Sequence, residues 1–322
     1  MARRRRSIET ALKQEIPRES GVLIALSGGR DSMVLLDAVL RVQGLLKLKV
    51  EALHVDHGLR ASSADDACFV QDQCLDRGVP CLVERLGPKP SRANMEAWGR
   101  QQRYRHLRET LTARALDWSL TAHTANDVAE TLVIKLLANK ELTTIERRDD
   151  RRRCLRPLLD ISREQINEYA ERFSVPFIDD PSNADTTLVR NRVRHSLLPV
   201  LEREFDPSAA WILAERARSI GADCDALASM ADREAEALGA LVEADPAWLT
   251  RCAERLRKLP EALGWRIAQK LVQPLVGFEI GEKGALEALK LLRGEVETLQ
   301  LKQGIEVLRD RFGVRVLPSR VS

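Results

Sequence analysis

The segment Ser27-Gly28-Gly29-Arg30-Asp31-Ser32 follows an apolar run, Val22-Leu23-Ile24-Ala25-Leu26, and precedes a helical stretch, Met33-Val34-Leu35-Leu36-Asp37-Ala38-Val39-Leu40. An apolar run closed by two glycines and continued by a helix reads as a buried strand turning directly into a helix start. That turn is a phosphate cradle. Glycine lets the backbone approach an anion closely. The free N–H groups and dipole of the helix start then face the negative charge. Ser27 and Ser32 add hydroxyl donors to Gly28, Gly29 and the backbone of Arg30. Asp31 is the odd member, because a carboxylate repels phosphate unless a divalent cation lies between them. Asp31 is therefore the expected metal ligand, with Mg²⁺ bridging it to phosphate oxygens. No Gly-Lys-Ser/Thr follows, and the glycine spacing does not fit a dinucleotide fingerprint.

Beyond this turn, strand-like and helix-like segments alternate through the first half of the chain. Strands are expected over about 48–55, 79–83 and 117–122, and helices over 63–77, 94–112 and 125–137. The pattern predicts an α/β fold, a doubly wound, mostly parallel sheet with helices on both faces. Ligands of such sheets bind beyond the carboxyl ends of the strands. The loops at Ser27, 54–60 and His123 all fall there. Residues 138–153 are polar and charged and read as a mobile loop. Ser162 and Gln165 form a capping box that opens a helix to about residue 173. At 322 residues, two domains are the natural division. The expected catalytic domain is 1–205. The second, 206–322, is smaller and mainly helical, with a long helix from 208 to 243, helices near 261–271 and 282–292, and a strand-rich end.

Arginines cluster at 3–6, 100–108, 147–156 and 190–194, a distribution that suits phosphate contacts more than the net charge of +3 alone indicates. Only 4% of residues are aromatic, so RNA contacts would lean on charge more than on stacking. No apolar run approaches the length of a membrane span. The six cysteines include no CxxC pair and have no zinc or cluster spacing, so reduced thiols and a cytoplasmic location are expected. Two further segments lie at strand ends. In His54-Val55-Asp56-His57-Gly58-Leu59-Arg60, the two histidines point to opposite faces of a strand and make a poor metal pair. His57 and Arg60 are the candidate polar contacts to a nucleotide. In Ala122-His123-Thr124-Ala125-Asn126-Asp127-Val128-Ala129-Glu130-Thr131, Asp127 and Glu130 share one face of a new helix.

The Ser27–Ser32 loop resembles the SGGxDS loop of the N-type ATP pyrophosphatase (PP-loop) superfamily. With it, the 54–60 and 122–131 segments, Asn94-Met95-Glu96 with Arg100-Gln101-Gln102-Arg103-Tyr104, Asp180-Pro181-Ser182-Asn183, and Arg190-Asn191-Arg192-Val193-Arg194 together resemble the tRNA(Ile)-lysidine synthetase family, in order along nearly the whole chain. The likeness is to a short form with one C-terminal domain. It departs at Thr124, Asn126 and Val128, where the family's AHHxDDQxET pattern has histidine, aspartate and glutamine. It implies ATP and Mg²⁺ as cofactors, and L-lysine and the isoleucine tRNA with a CAU anticodon as partners, and it is compatible with a homodimer. The implied reaction adenylates O2 of the wobble cytidine, and the lysine amine then displaces AMP to give lysidine. Under this resemblance Asp31 holds the metal, and Ser27, Gly28, Gly29, Arg30, Ser32 and His57 bind the nucleotide. Asp127 and Glu130 hold or deprotonate the lysine ammonium. Arg103 and His123 complete the catalytic set, and Arg100, Arg190, Asn191, Arg192 and Arg194 meet phosphates of ATP or RNA. The departures leave open a paralogue that uses another nucleophile or RNA. A non-catalytic RNA-binding relative has no physical need for Asp31 beside phosphate.

Overall fold

The computed structural model describes residues 6–56, 58, 63–87, 95–138, 142, 144–179, 186–241, 245–278, 280–301, 304–310 and 312–317. The chain divides into two compact units, residues 1–140 with 144–218, and 141–143 with 219–322.

The first unit is built on a six-stranded sheet. Its strands are β1 (Gly21–Leu26), β2 (Lys49–Asp56), β3 (Cys81–Arg85), β4 (Trp118–Leu120), β5 (Arg148–Asp149) and β6 (Cys154–Leu155), in the order β3-β2-β1-β4-β6-β5. All neighbours are parallel except β5, which runs antiparallel to β6 at the edge. Its helices are α1 (Ile8–Glu15), α2 (Arg30–Leu46), α3 (Ser63–Leu75), α4 (Met95–Ala113), α5 (Ala125–Leu137), α6 (Arg163–Arg172), α7 (Val189–Arg192) and α8 (Leu198–Glu204). The period of two along β1 sorts its side chains between the two faces of the sheet. Val22, Ile24 and Leu26 join α1, α2, α3 and α6 in one core, while Leu23 packs with Leu53 against Leu107 and Leu111 of α4 on the other. Burial on both faces explains why β1 reads as a continuous apolar run rather than an alternating one. The doubly wound, mostly parallel sheet expected from the sequence is present.

Several local expectations are corrected. Residues 138–153 do not form a single loop, since β5 and β6 pair across a tight turn. Asp149 builds that turn by accepting from the Arg152 amide at 2.9 Å and from its guanidinium at 2.8 Å. Four helices were not read from the sequence. α1 is capped by Ser7, whose hydroxyl accepts from the Thr10 amide. α7 and α8 flank a π-helical turn, Val193–Leu197. α10 (Pro246–Arg257) begins with Asp245 as N-cap and Pro246 at the first position, a start signal that the sequence does contain.

The long helix α9 (Ala209–Leu238) runs from the first unit into the second. The second unit holds α10, α11 (Glu261–Val276) and α12 (Glu282–Arg293), with an antiparallel meander of β7 (Thr298–Gln300), β8 (Glu306–Asp310) and β9 (Gly313–Leu317). Its core is separate, built around Trp248, Trp265, Ile267, Leu289 and Val307.

Among the described residues, no helix is long and apolar enough to cross a membrane. Leu111→Ala, at a fully buried position of α4, should lower the stability of the first unit by about 2–5 kcal/mol in urea unfolding.

Candidate active site

The crossovers from β1 run outward to β2 and β3 on one side, and β4 resumes on the other side of β1. The strand order therefore reverses between β1 and β4, and a crevice opens beyond their carboxyl ends. A cleft of about 560 Å³ lies there, lined among others by Ser27, Asp31, Ser32, Arg103, His123 and Asp127. Leu53, Val55 and Leu107 give it an apolar wall.

The loop after β1 is held by its own hydroxyls. Ser32 Oγ donates to the Gly29 carbonyl at 2.8 Å and accepts from the Ser27 amide at 3.2 Å. The Gly29 amide donates to Ser27 Oγ at 3.3 Å. Gly28 has φ +82°, and a Cβ there would sit 3.3 Å from both Ile178 and Val70. Glycine is required by conformation and by space. Gly28 also accepts from the Ile178 amide at 2.9 Å, which ties the loop to the segment after α6. α2 starts at Arg30 with Gly29 as N-cap, and no side chain caps its amide end.

Asp31, in the first turn of α2, is half-buried at the cleft. Burial pushes its carboxyl up from the ordinary value, and the negative charge of Asp127 adds to this against Arg163, Arg194 and Arg30. Such a carboxylate gains from a cation. No cluster of three or more His, Cys, Asp or Glu forms a metal cage among the described residues. The donor set suits Mg²⁺, which binds through one or two carboxylates together with phosphate oxygens and water.

Arg103, from α4, makes no ion pair among the described residues. Burial pushes its guanidinium down, and the positive charges of Arg100 and Arg190 push the same way. A cation in that position is stabilised by an incoming anion.

Beside it, two carboxylates and two guanidinium groups form a compact cluster. Asp127 and Glu130 come from α5, Arg190 from α7 and Arg194 from the π-helical turn. Arg190 donates to Asp127 and to Glu130, each at 2.9 Å. Arg194 donates to Glu130 at 2.6 and 3.0 Å and to Asp127 at 3.3 Å. The second oxygen of Asp127 accepts from the Thr124 amide at 2.8 Å and its hydroxyl at 2.9 Å, which caps α5. Burial acts to raise the Asp127 pKa, but Arg190, the Thr124 amide and Arg194 outweigh it, and the carboxyl titrates below its usual range.

His123 lies between these groups and β4. Burial pushes it down to about 3, against the pull of Asp127 and with Arg156, Arg100 and Arg190 adding to the fall, so the imidazole is neutral. Its Nδ1 is 3.0 Å from Thr121 Oγ1.

The remaining predicted residues are placed differently. Arg30 points away from the cleft lining, donating to Asn167 at 2.6 Å and stacking over Phe177 at 4.4 Å. Arg100 lies over the Tyr104 ring. Arg192 is exposed and Asn191 buried. Glu130 is fully buried and does not line the cleft. His54 is occupied structurally, its Nδ1 2.9 Å from the Leu26 carbonyl. His57, Arg60, Asn94 and the segment 180–183 lie outside the described residues. Sequence reasoning missed Thr121, Tyr104 as a hydrogen-bond partner, and Arg156, which donates to Tyr104 Oη at 3.0 Å and to the Glu146 carbonyl at 2.6 Å. The Tyr104–Arg156 contact joins separate elements and has no local signal, whereas Thr121 stands only two residues before His123.

The PP-loop domain family matches residues 2–201. A tRNA(Ile)-lysidine synthase of Thermobifida fusca is 34% identical over 83% of this chain and 81% of its own. The chain belongs to the tRNA(Ile)-lysidine synthase family. A second relative of that name, from Solibacter usitatus, is 36% identical over 80% of this chain, which spans 57% of that protein. A U34-tRNA thiolase from Methanococcus maripaludis has the same fold, with a TM-score of 0.57 over 66% of this chain and 77% of its own at 14% identity.

Against the lysidine synthase pattern, each departure in the 122–131 segment has a structural use. Thr124 supplies the cap just described. Asn126 Oδ1 accepts from the Arg163 amide at 2.9 Å, at the start of α6. Val128 is buried, as an apolar side chain of α5 can be and a glutamine could not without a partner.

Two outcomes are expected. Glu130→Gln strips the arginines of a charge at a fully buried position and should cost about 3–5 kcal/mol in chemical unfolding. Because His123 resists protonation when folded, the unfolded chain binds the extra proton, and stability should fall with pH below about 6.5. His123→Gln should flatten that acidic limb when unfolding curves from about pH 7.5 to about pH 5 are compared.

Proposed function

We propose that this chain is an ATP-dependent ligase that joins L-lysine to carbon 2 of the wobble cytidine in the isoleucine tRNA with a CAU anticodon. The reaction runs through an adenylated cytidine and releases pyrophosphate and AMP. The observation that carries this reading is one cleft holding the glycine loop, the cation-seeking Asp31 and the anion-seeking Arg103, in a chain of this family.

Each group has a physical task. Asp31 holds Mg²⁺, which neutralises phosphate charge when bound. Gly28 and the start of α2 bind pyrophosphate through amide donors that the loop's own bonds leave free, while Ser27, Gly29 and Ser32 hold the turn in shape, so the site needs little reorganisation as charge develops. Arg103 meets a phosphate. Arg190 and Arg194 line the cleft with guanidinium groups that Asp127 and Glu130 orient and neutralise. Arg100 and Arg192 sit on the exposed side and suit RNA phosphates. The second unit grips the tRNA away from the reacting base.

The amine must be neutral to attack. Asp127 and Glu130 are the carboxylates that would hold its ammonium form, and their guanidinium partners must yield contacts for it to enter. That saturation favours one second reading, a family member that adenylates RNA but uses a different nucleophile.

Radiolabelled lysine transfer to unmodified CAU-anticodon tRNA, followed together with pyrophosphate release, separates the two. Label in RNA supports lysidine synthesis. Pyrophosphate without label supports the second reading. Asp31→Ala should reduce pyrophosphate release by at least about 100-fold, since a group acting on charge developed in the transition state is removed. Wild-type turnover in that variant would overturn the nucleotide assignment.

A further inference from the structure

His123 lines the cleft, as does Thr121, the residue after β4 that its ring meets. On the sheet side, its Nδ1 lies 3.0 Å from Thr121 Oγ1, and the same hydroxyl lies 3.8 Å from Cys154 Sγ. Thr121 and Cys154 are both buried, at 4% and 0% exposure, so bulk water does not supply their hydrogen bonds. The Thr121 amide donates to the Leu155 carbonyl at 3.1 Å, which locks the hydroxyl-bearing residue to β6. The charged groups that face the imidazole are Asp127, Arg156, Arg100 and Arg190.

A threonine hydroxyl has one proton to donate. Two arrangements are open to it. It can donate to Cys154 Sγ and accept from a protonated Nδ1, or it can donate to a bare Nδ1 while the thiol turns to its oxygen or to the Leu155 carbonyl 3.9 Å away. Sulfur is a weak acceptor and imidazole nitrogen a strong one, so the second arrangement places the good donor on the good acceptor. The thiol, a weak donor, then points at oxygen. With Nδ1 bare and the ring neutral, the single ring proton sits on Nε2, on the edge away from β4.

We propose that Thr121 is a positioning residue that fixes His123 as a neutral Nε2–H tautomer, making it a hydrogen-bond donor to the cleft rather than a base or a cation. Resting on the phosphoryl chemistry proposed above, that donor meets a phosphate oxygen as negative charge grows on it. The proton stays on Nε2 throughout. A neutral imidazole suits this place, because Arg103 already brings to the cleft a positive charge that is unpaired among the described residues. Cys154 acts only as the group that orients the hydroxyl.

Two-bond ¹H–¹⁵N correlation spectra of uniformly labelled protein report the tautomer of each histidine directly. The chain has five histidines, and the spectrum of His123→Gln identifies the signal of interest by its loss. The expected wild-type pattern is Nε2–H with bare Nδ1 near neutral pH. In Thr121→Val the pattern should become a mixture of tautomers, and kcat for pyrophosphate release should fall about 10–100-fold with a smaller change in KM, by analogy with partners that orient metal-bound histidines. Thr121→Ser should restore both the tautomer and the rate. His123→Gln, whose amide can place an N–H near the Nε2 position, should retain more activity than His123→Ala. A protonated Nδ1 in the wild type, a doubly protonated ring, or a Thr121→Val spectrum identical to wild type would overturn the proposal. An Nε2–H tautomer that depends on Thr121, in a protein releasing no pyrophosphate with any RNA, would retire the ligase reading and leave the positioning role standing.

Discussion

Burying charge next to a cleft is costly unless the charges cancel, and the α5 cluster is where this fold meets that constraint. Asp127 and Glu130 face Arg190 and Arg194 with five hydrogen bonds among four side chains. Asp127 and Glu130 would be costly to bury as charges without these partners. The cluster ties α5 to α7 and the π-helical turn. An apolar contact layer of Ala129, Val133, Val193 and Leu198 continues the same seam. With two negative charges set against two positive ones, the cluster contributes little net field. The unbalanced groups at the cleft are then Asp31, which wants a cation, and Arg103, which wants an anion. A metal–phosphate ligand supplies both, and the need for both in one cavity is what makes the cavity selective.

Much of this was legible in the sequence where the signal is local. The β1 run, the glycine turn and the start of α2 follow from composition and order alone, as does the capping box at Ser162 and Gln165. The pairing of Asp127 and Glu130 on one helix face follows from helical spacing. What these carboxylates touch does not, because Arg190 and Arg194 are about sixty residues away. On residue type alone, the same arginines are expected at phosphate. Type fixes what a guanidinium can bind, and only the fold fixes which anion arrives first. Arg30 shows the reverse case. Its position inside the loop motif placed it with the nucleotide, yet a residue at the first position of α2 projects by helix geometry, and here that direction leads to Asn167 and Phe177.

The altered 122–131 segment gives a third example of position outranking identity. An aspartate at 126 would add a negative charge close to Asp127. Asparagine keeps the acceptor oxygen that the Arg163 amide needs and removes that charge. Thr124 gives up an imidazole and gains a hydroxyl that donates to Asp127. Both changes lower the number of ionisable groups in the segment while preserving the helix start. The carboxylates that remain are those with guanidinium partners.

The phosphate loop follows a different logic, because it must leave donors unspent. Ser27 and Ser32 use their hydroxyls to brace each other and the Gly29 backbone, so the turn is rigid before any ligand arrives. Gly28 passes its carbonyl to Ile178, which anchors the turn from outside. Every contact that fixes the loop uses a carbonyl, a hydroxyl or the amides of Ser27 and Gly29. The amide end of α2 has no side-chain cap to satisfy it. A serine or aspartate cap at Gly29 would stabilise the isolated helix by only about a few tenths of a kcal/mol and would put an internal acceptor where the ligand's oxygen belongs. Glycine at that position leaves the helix start open to an anion from outside, which is the property an anion site at a helix terminus requires.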